Sequence, residues 1–269
     1  MKRKLFCEIS PVTYKISVLK CRLLRHLSDI FSKDTLSSEI SNDTLPNHVY
    51  SNKVLMRRVL GDVDMTLQEN KVTNLNISAP KVNGILIKPG ETFSFWKLVG
   101  STTERKGYKT GLIIKNGETG TGIGGGMCQF TNLIHWLVLH SPLEITEHHH
   151  HDQFDLFPDY GRQVPFGTGT SIFYNYLDYR FKNTTDQTFQ LMVYTTDTHL
   201  CAALLSQRPL DVSYHIKTEG ERFEQREDAV YRVSEVYREC YDKATGVCLE
   251  RKLIKRNNAR VMYDLPLQV

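Results

Sequence analysis

The stretch that most constrains this chain runs from Thr119 to Leu139 and reads T-G-T-G-I-G-G-G-M-C-Q-F-T-N-L-I-H-W-L-V-L. Its three consecutive glycines, Gly124, Gly125 and Gly126, can take backbone angles barred to other residues and leave no side chain between the turn and its neighbour. Something must approach closely there, either another backbone or a ligand. From Phe130 onward, Phe130, Leu133, Ile134, Leu137 and Val138 recur at helical spacing, which predicts an amphipathic helix with Cys128 in its first turn. Unpaired N–H groups and the dipole at a helix start favour negative charge, so a thiolate at Cys128 is stabilised relative to a free thiol of pKa ~8.5.

A cysteine nucleophile needs a base to take its proton and a third group to orient that base. Four consecutive histidines, His148 to His151, follow the helix. If they are extended, His149 and His151 share one face and His148 and His150 the other, so only one pair can face Cys128. Gln129 is a candidate donor to a developing oxyanion beside the cysteine. The same histidines with Asp152 and Asp155 also suit a divalent metal, and a third reading is binding or structure without chemistry. No residue is assigned as a metal ligand and no cofactor is expected. Gly120, Gly122 and Gly125 match G-x-G-x-x-G, but no series of alternating strands and helices surrounds them, as a dinucleotide site requires.

Four motifs in fixed order, G-E-T-F-S-F at 90–95, G-Y-K at 107–109, G-G-G-M-C-Q at 124–129 and Y-R-F-K-N at 179–183, resemble the VanW family. The resemblance implies a context of glycopeptide resistance and cell-wall metabolism, with a wall precursor or peptide as the expected partner. It carries no reaction with it. Aligned on Glu147, the family's R-H-x-H-S segment implies His149 as the first candidate base and His151 as the second. Where the family pattern reads G-R-D-A-T-V, this chain has Gly167-Thr168-Gly169-Thr170-Ser171-Ile172, so Gly169 replaces an aspartate. Asp152, Asp155 or Asp178 must then supply the acid, or the triad is incomplete. The reaction that such a set would perform is hydrolysis or acyl transfer at an amide of a wall precursor.

Elsewhere, Ser10-Pro11 reads as a cap and first-turn proline for a helix whose stripe is Ile16, Leu19, Leu23, Leu27, Ile30 and Phe31, interspersed with Lys15, Lys20, Arg22 and Arg25. The ordinary expectation is a helix with its apolar stripe on the core and its basic face in water. The alternative is a basic amphipathic helix resting on anionic lipid. Ser32 to Asn52 reads as a polar connector. Phe93, Phe95 and Trp96 are expected to pack beneath the glycine turn. From Tyr174 the chain is rich in short strand patterns, continuing as hairpins after Val212.

These observations predict an α+β protein: a helical N-terminal half packed on a mainly antiparallel sheet, with a C-terminal β-hairpin appendage. The expected divisions are an N-terminal helix and connector over 1–46, a core domain over 47–206 and a β-rich appendage over 207–269. Six cysteines without C-x-x-C spacing suggest neither a disulfide framework nor a zinc ribbon, and favour a reducing cytoplasm, with peripheral contact at the inner membrane face as an extension. No run reaches the ~20 apolar residues of a membrane span, and the start is too interrupted for a signal-peptide core. A net charge of +4, without any nucleic-acid-binding signature, does not argue for nucleic acid.

Overall fold

In the computed structural model, which describes residues 4–58, 64–115, 118–150, 153–156 and 164–264, the predicted cap at Ser10 opens the first helix. Ser10 accepts a hydrogen bond from the Thr13 N–H at 3.2 Å and starts α1 (Pro11–Phe31), with the proline in its first turn. After β1 (Thr35–Leu36) and β2 (Asn47–Leu55), Asp64 accepts from the Thr66 N–H at 2.8 Å and starts α2 (Met65–Ser78). There follow β3 (Ile85–Ile87), β4 (Glu91–Ser94), α3 (Phe95–Val99), β5 (Thr110–Lys115), β6 (Glu118–Ile123) and α4 (Met127–Leu139). The remainder is β7 (Glu144–Glu147), β8 (Phe154–Asp155), β9 (Arg180–Lys182), β10 (Phe189–Thr195), β11 (His199–Ser206), β12 (Val212–Gln225), β13 (Val230–Asp242) and β14 (Cys248–Val261).

The strands form three four-stranded sheets, ordered β1-β4-β9-β7, β2-β11-β10-β3 and β12-β13-β14-β8, and a β5-β6 ribbon. Among the described residues every named pairing is antiparallel except β1 with β4 and β8 with β14. The protein is therefore α+β; among the described residues all four α-helices come before residue 140 and the C-terminal third holds only strands.

The core closes around α4. Phe130, Leu133, Ile134 and Leu137 are fully buried, each worth about 1.5–3 kcal/mol of transfer free energy. Trp136 and His135 on its other sides are buried too, so α4 is enclosed nearly all round rather than amphipathic. The aromatics Phe93, Phe95 and Trp96 join this core: Phe93 stacks on Phe181 at 4.6 Å, and Phe95 meets Phe130 edge-on at 5.2 Å.

Two expectations are corrected. The polar stretch Ser32 to Asn52 is not a plain connector: it contributes β1, beside β4, and the start of β2, an edge strand beside β11. One exposed side on β2 explains its polar sequence. Helix α1 does not pack its apolar stripe on the core either. Arg22, Arg25 and Asp29 face inward, and no residue of α1 is fully buried. Gly120 and Gly122 lie within β6, in an antiparallel ribbon, so the parallel β-α-β unit that a dinucleotide turn needs is not what surrounds them.

Candidate functional site

The close approach predicted at the glycine turn is made by the protein itself. A Cβ on Gly124 would overlap Thr102, one on Gly125 would overlap the Gly111 backbone, and one on Gly126 would overlap the aliphatic stem of Lys71. Gly126 is also the N-cap of α4, with a φ of 93° that L side chains rarely adopt. The buried amide of Asn74 ties the turn to the residue that leads into β5. It donates to the carbonyls of Gly125 at 2.9 Å and Lys109 at 3.0 Å, and accepts from the Lys109 N–H at 2.8 Å. The local pattern of α2 gave no hint of that brace.

Cys128 is the second residue of α4 and lies in the wall of a cavity of about 1140 Å³. Burial pushes its thiol above the ordinary range, outweighing the backbone N–H of Ile172 that favours the thiolate. The residue keeps part of its surface, but desolvation of the sulfur decides the direction. The Cys128 carbonyl accepts from Thr131 Oγ1 at 3.3 Å, and Thr131 shares a 2.5 Å hydroxyl contact with Thr170. Asn132 Oδ1 in turn accepts from the Thr170 N–H at 2.6 Å and from its hydroxyl at 2.8 Å. This network holds the segment around Gly169 against the first turns of α4.

The histidines alternate as an extended segment would, although β7 ends before them at Glu147. The face turned to α4 carries His148 and His150, not His149. His148 stacks on His135 at 4.4 Å, and its Nε2 lies 2.8 Å from the Gly169 carbonyl oxygen. His150 lines the cavity with Cys128. His149, the first candidate base, turns to Glu147 Oε1 at 2.9 Å and is not in the cavity lining. His151 and Asp152 lie outside the described residues. His135 on α4 is held neutral by burial, with His148 and His150 adding to the effect, and its Nδ1 lies 3.1 Å from the Tyr179 hydroxyl.

The other candidates are engaged elsewhere. Asp178, fully buried, accepts from Ser94 Oγ at 2.6 Å, from the Trp96 N–H at 3.0 Å and from Arg180 Nε at 2.8 Å. It joins the start of α3 to β9 and does not line the cavity. Asp155 does line it, but carries Arg232 Nη1 at 3.3 Å and accepts from the Tyr263 hydroxyl at 2.9 Å. Gln129 donates its side-chain amide to the Leu55 carbonyl at 2.6 Å, tethering α4 to β2, while its N–H goes to the Gly126 carbonyl. Gly169 is the informative absence: a Cβ there would stand 3.2 Å from His150 Nε2 and 3.7 Å from Asn132 Oδ1. A side chain at this position would lie against His150.

No group of three or more histidines, cysteines, aspartates or glutamates that could hold a metal is found among the described residues. All six cysteines are free. No described helix is long and apolar enough to cross a membrane.

Sequence reasoning missed the cationic side of the cavity. Arg22, Arg57, Arg58 and Lys71 line it with a single carboxylate, Asp155, among the described lining residues, and Arg57 is paired with Glu69 at 2.5 Å. Lys71 is buried, donates to Gln68 Oε1 at 2.7 Å, and is pushed down to about 8 by burial and then by Arg58. A signal existed: Leu67, Lys71 and Leu75 are four apart, so a lysine interrupts the apolar stripe of α2. Apolar side chains line the same cavity, with Leu112, Ile113, Phe166 and Phe173 among them.

Residues 70–205 match the family model described as VanW like protein. The chain is 30% identical over 269 residues, all of its own length and 98% of the other's, to the vancomycin B-type resistance protein VanW of Enterococcus faecalis (strain ATCC 700802 / V583). It is 33% identical over 114 residues to the uncharacterized protein YoaR of Bacillus subtilis (strain 168), covering 42% of this chain and 36% of that protein. No solved structure matches it. The glycine turn and the cysteine that lines the cavity fall within the matched segment, and the full-length likeness extends on both sides of it: the chain belongs to the VanW family.

Proposed function

We propose that this chain is a VanW-type accessory protein of glycopeptide resistance that binds an anionic cell-wall precursor in the cavity beside α4. The observation that carries the reading is the cavity's lining: Arg22, Arg58 and Lys71, with Arg57 paired to Glu69, stand with one carboxylate, Asp155, among the described lining residues, beside apolar side chains. That combination suits a ligand that carries phosphates or carboxylates together with alkyl or peptide surface. The resistance context comes from the relative's name. Peptide-stem precursors of the wall fit the chemistry, since they carry both phosphate and terminal carboxylate.

Titration calorimetry with a nucleotide-linked muramyl peptide tests it. Binding is expected that weakens about tenfold or more in Lys71→Met and in Arg58→Ala, because a removed charge partner is worth roughly 1.5–3 kcal/mol. No binding at millimolar ligand, or binding indifferent to both substitutions, would overturn the reading.

A second reading is thiol chemistry on the same ligand, favoured by Cys128 and His150 lining one cavity. In it His150, rather than His149, takes the thiol proton, and Cys128 attacks an amide carbonyl. The raised pKa of the thiol weighs against it, since the thiolate is the nucleophile.

A further inference from the structure

Helix α1 is amphipathic in the reverse sense to a helix that packs on a core. Val12, Ile16, Leu19, Leu23, Leu27 and Ile30 lie within one narrow stripe, and each is between 40% and 67% exposed. Phe31 at its end is 82% exposed, and Leu5, Phe6 and Ile9 extend the apolar surface before it. The side turned to the protein is held by polar contacts. Arg22 Nε donates to the Tyr174 carbonyl at 2.9 Å, Arg25 pairs with Glu147 at 2.5 Å, and Asp29 accepts two hydrogen bonds from Arg180 at 2.8 and 3.0 Å. Side chains of these ion pairs are only 11–19% exposed, so the helix is fixed in orientation rather than free to roll its stripe inward.

From this arrangement we infer that α1 is a docking element for an anionic lipid bilayer surface, lying in the interface with its apolar stripe in the lipid. The charges around the stripe choose the occupant. Lys15 and Lys20 stand on opposite flanks of the stripe, and Lys4 and Lys33 lie just beyond its two ends, all exposed. The helix's one carboxylate, Asp29, is turned inward to Arg180, and nearby Glu8 accepts from its own turn at Leu5. A second copy placed on this face would therefore set lysines against lysines with no acid on α1 to answer them, whereas lipid phosphates answer all four. With 21 residues the helix is about 30 Å long, a convex rod rather than a groove for a narrow partner. Because Arg22 and its partner Tyr174 both line the cavity, docking brings the cavity wall to within roughly a helix diameter, about 10 Å, of the lipid.

Vesicle co-sedimentation of the full chain tests this. Vesicles of phosphatidylcholine with phosphatidylglycerol are expected to bring the protein down, and pure phosphatidylcholine vesicles to leave most of it in solution. Lys15→Glu with Lys20→Glu should weaken binding by well over tenfold, since each lysine near an anionic surface is worth about fivefold. Leu19→Glu with Leu23→Glu should abolish it. All four side chains are exposed, and unchanged circular dichroism with an unchanged thermal midpoint will show that the fold is intact. The proposal is overturned if the native chain stays in solution with anionic vesicles, or if the leucine pair is dispensable for binding. It is also overturned if the native chain sediments as a dimer that the leucine substitutions dissociate without lipid.

Discussion

The stem of Lys71 lies directly over the α-carbon of Gly126, so that a single methyl group on Gly126 would overlap Lys71 Cγ and Cδ. This contact locks α2 to the cap of α4, the helix that carries Cys128. Gly126→Ala is expected to lose roughly 2–4 kcal/mol, part from a left-handed backbone and part from overpacking. Urea unfolding of Gly126→Ala, Lys71→Ala and the double variant separates the two parts. A coupling of over ~1 kcal/mol is expected, because removing the stem relieves the clash and leaves the backbone strain. Strictly additive losses would contradict the contact.

Lys71 makes a second, pH-dependent prediction. Burial holds it at about 8 in the folded chain, below its ordinary 10.5. Between those values the unfolded chain binds more protons than the folded one, so this group's contribution to stability rises with pH across the window. Below pH 8 its burial opposes folding by an amount on the order of 3 kcal/mol. Lys71→Met should therefore raise the thermal midpoint at pH 7, and the gain should shrink towards pH 10.5. A gain that does not vary with pH would refute the buried cation.

Cys128 should react slowly. With its thiol raised by burial, alkylation by iodoacetamide at pH 7 is expected to run below the rate of free cysteine and to climb only at higher pH than free cysteine does. His149→Ala should leave that profile unchanged, since His149 is bonded to Glu147 and outside the cavity lining. Fast labelling at pH 6 that His150→Ala slows would instead promote the thiol-enzyme reading.

Arg180 gathers Asp29 from α1 and Asp178 from the core, with Glu147 at 3.7 Å. Arg180→Ala would leave two nearly buried carboxylates uncompensated, and a loss of roughly 3–5 kcal/mol is expected. Limited proteolysis should then cut within or after α1 first. Equal protection of α1 in native and variant chains would show that its anchoring lies elsewhere.

What the sequence determined by itself was local. The helix after the glycine turn, the cap at Ser10, the β10 and β11 strands and the need for a close approach at Gly124–Gly126 all follow from spacing, turn chemistry and the absence of a Cβ. Those rules act over a few residues and survive in any fold that contains them. Which histidine meets the cavity was decided by tertiary structure. Alternation puts His148 and His150 together, but only the α4 packing and the Gly169 carbonyl choose that face over the one with His149. The same holds for Asp178, a plausible catalytic acid in sequence that the fold spends on Arg180 and the α3 cap. Helix α1 shows the limit most plainly. Its periodicity fixed an apolar stripe, yet the long-range pairs of Arg25 with Glu147 and Asp29 with Arg180 turned that stripe outward. Local spacing sets which residues share a face; charge pairing between segments more than a hundred residues apart decides where the face points.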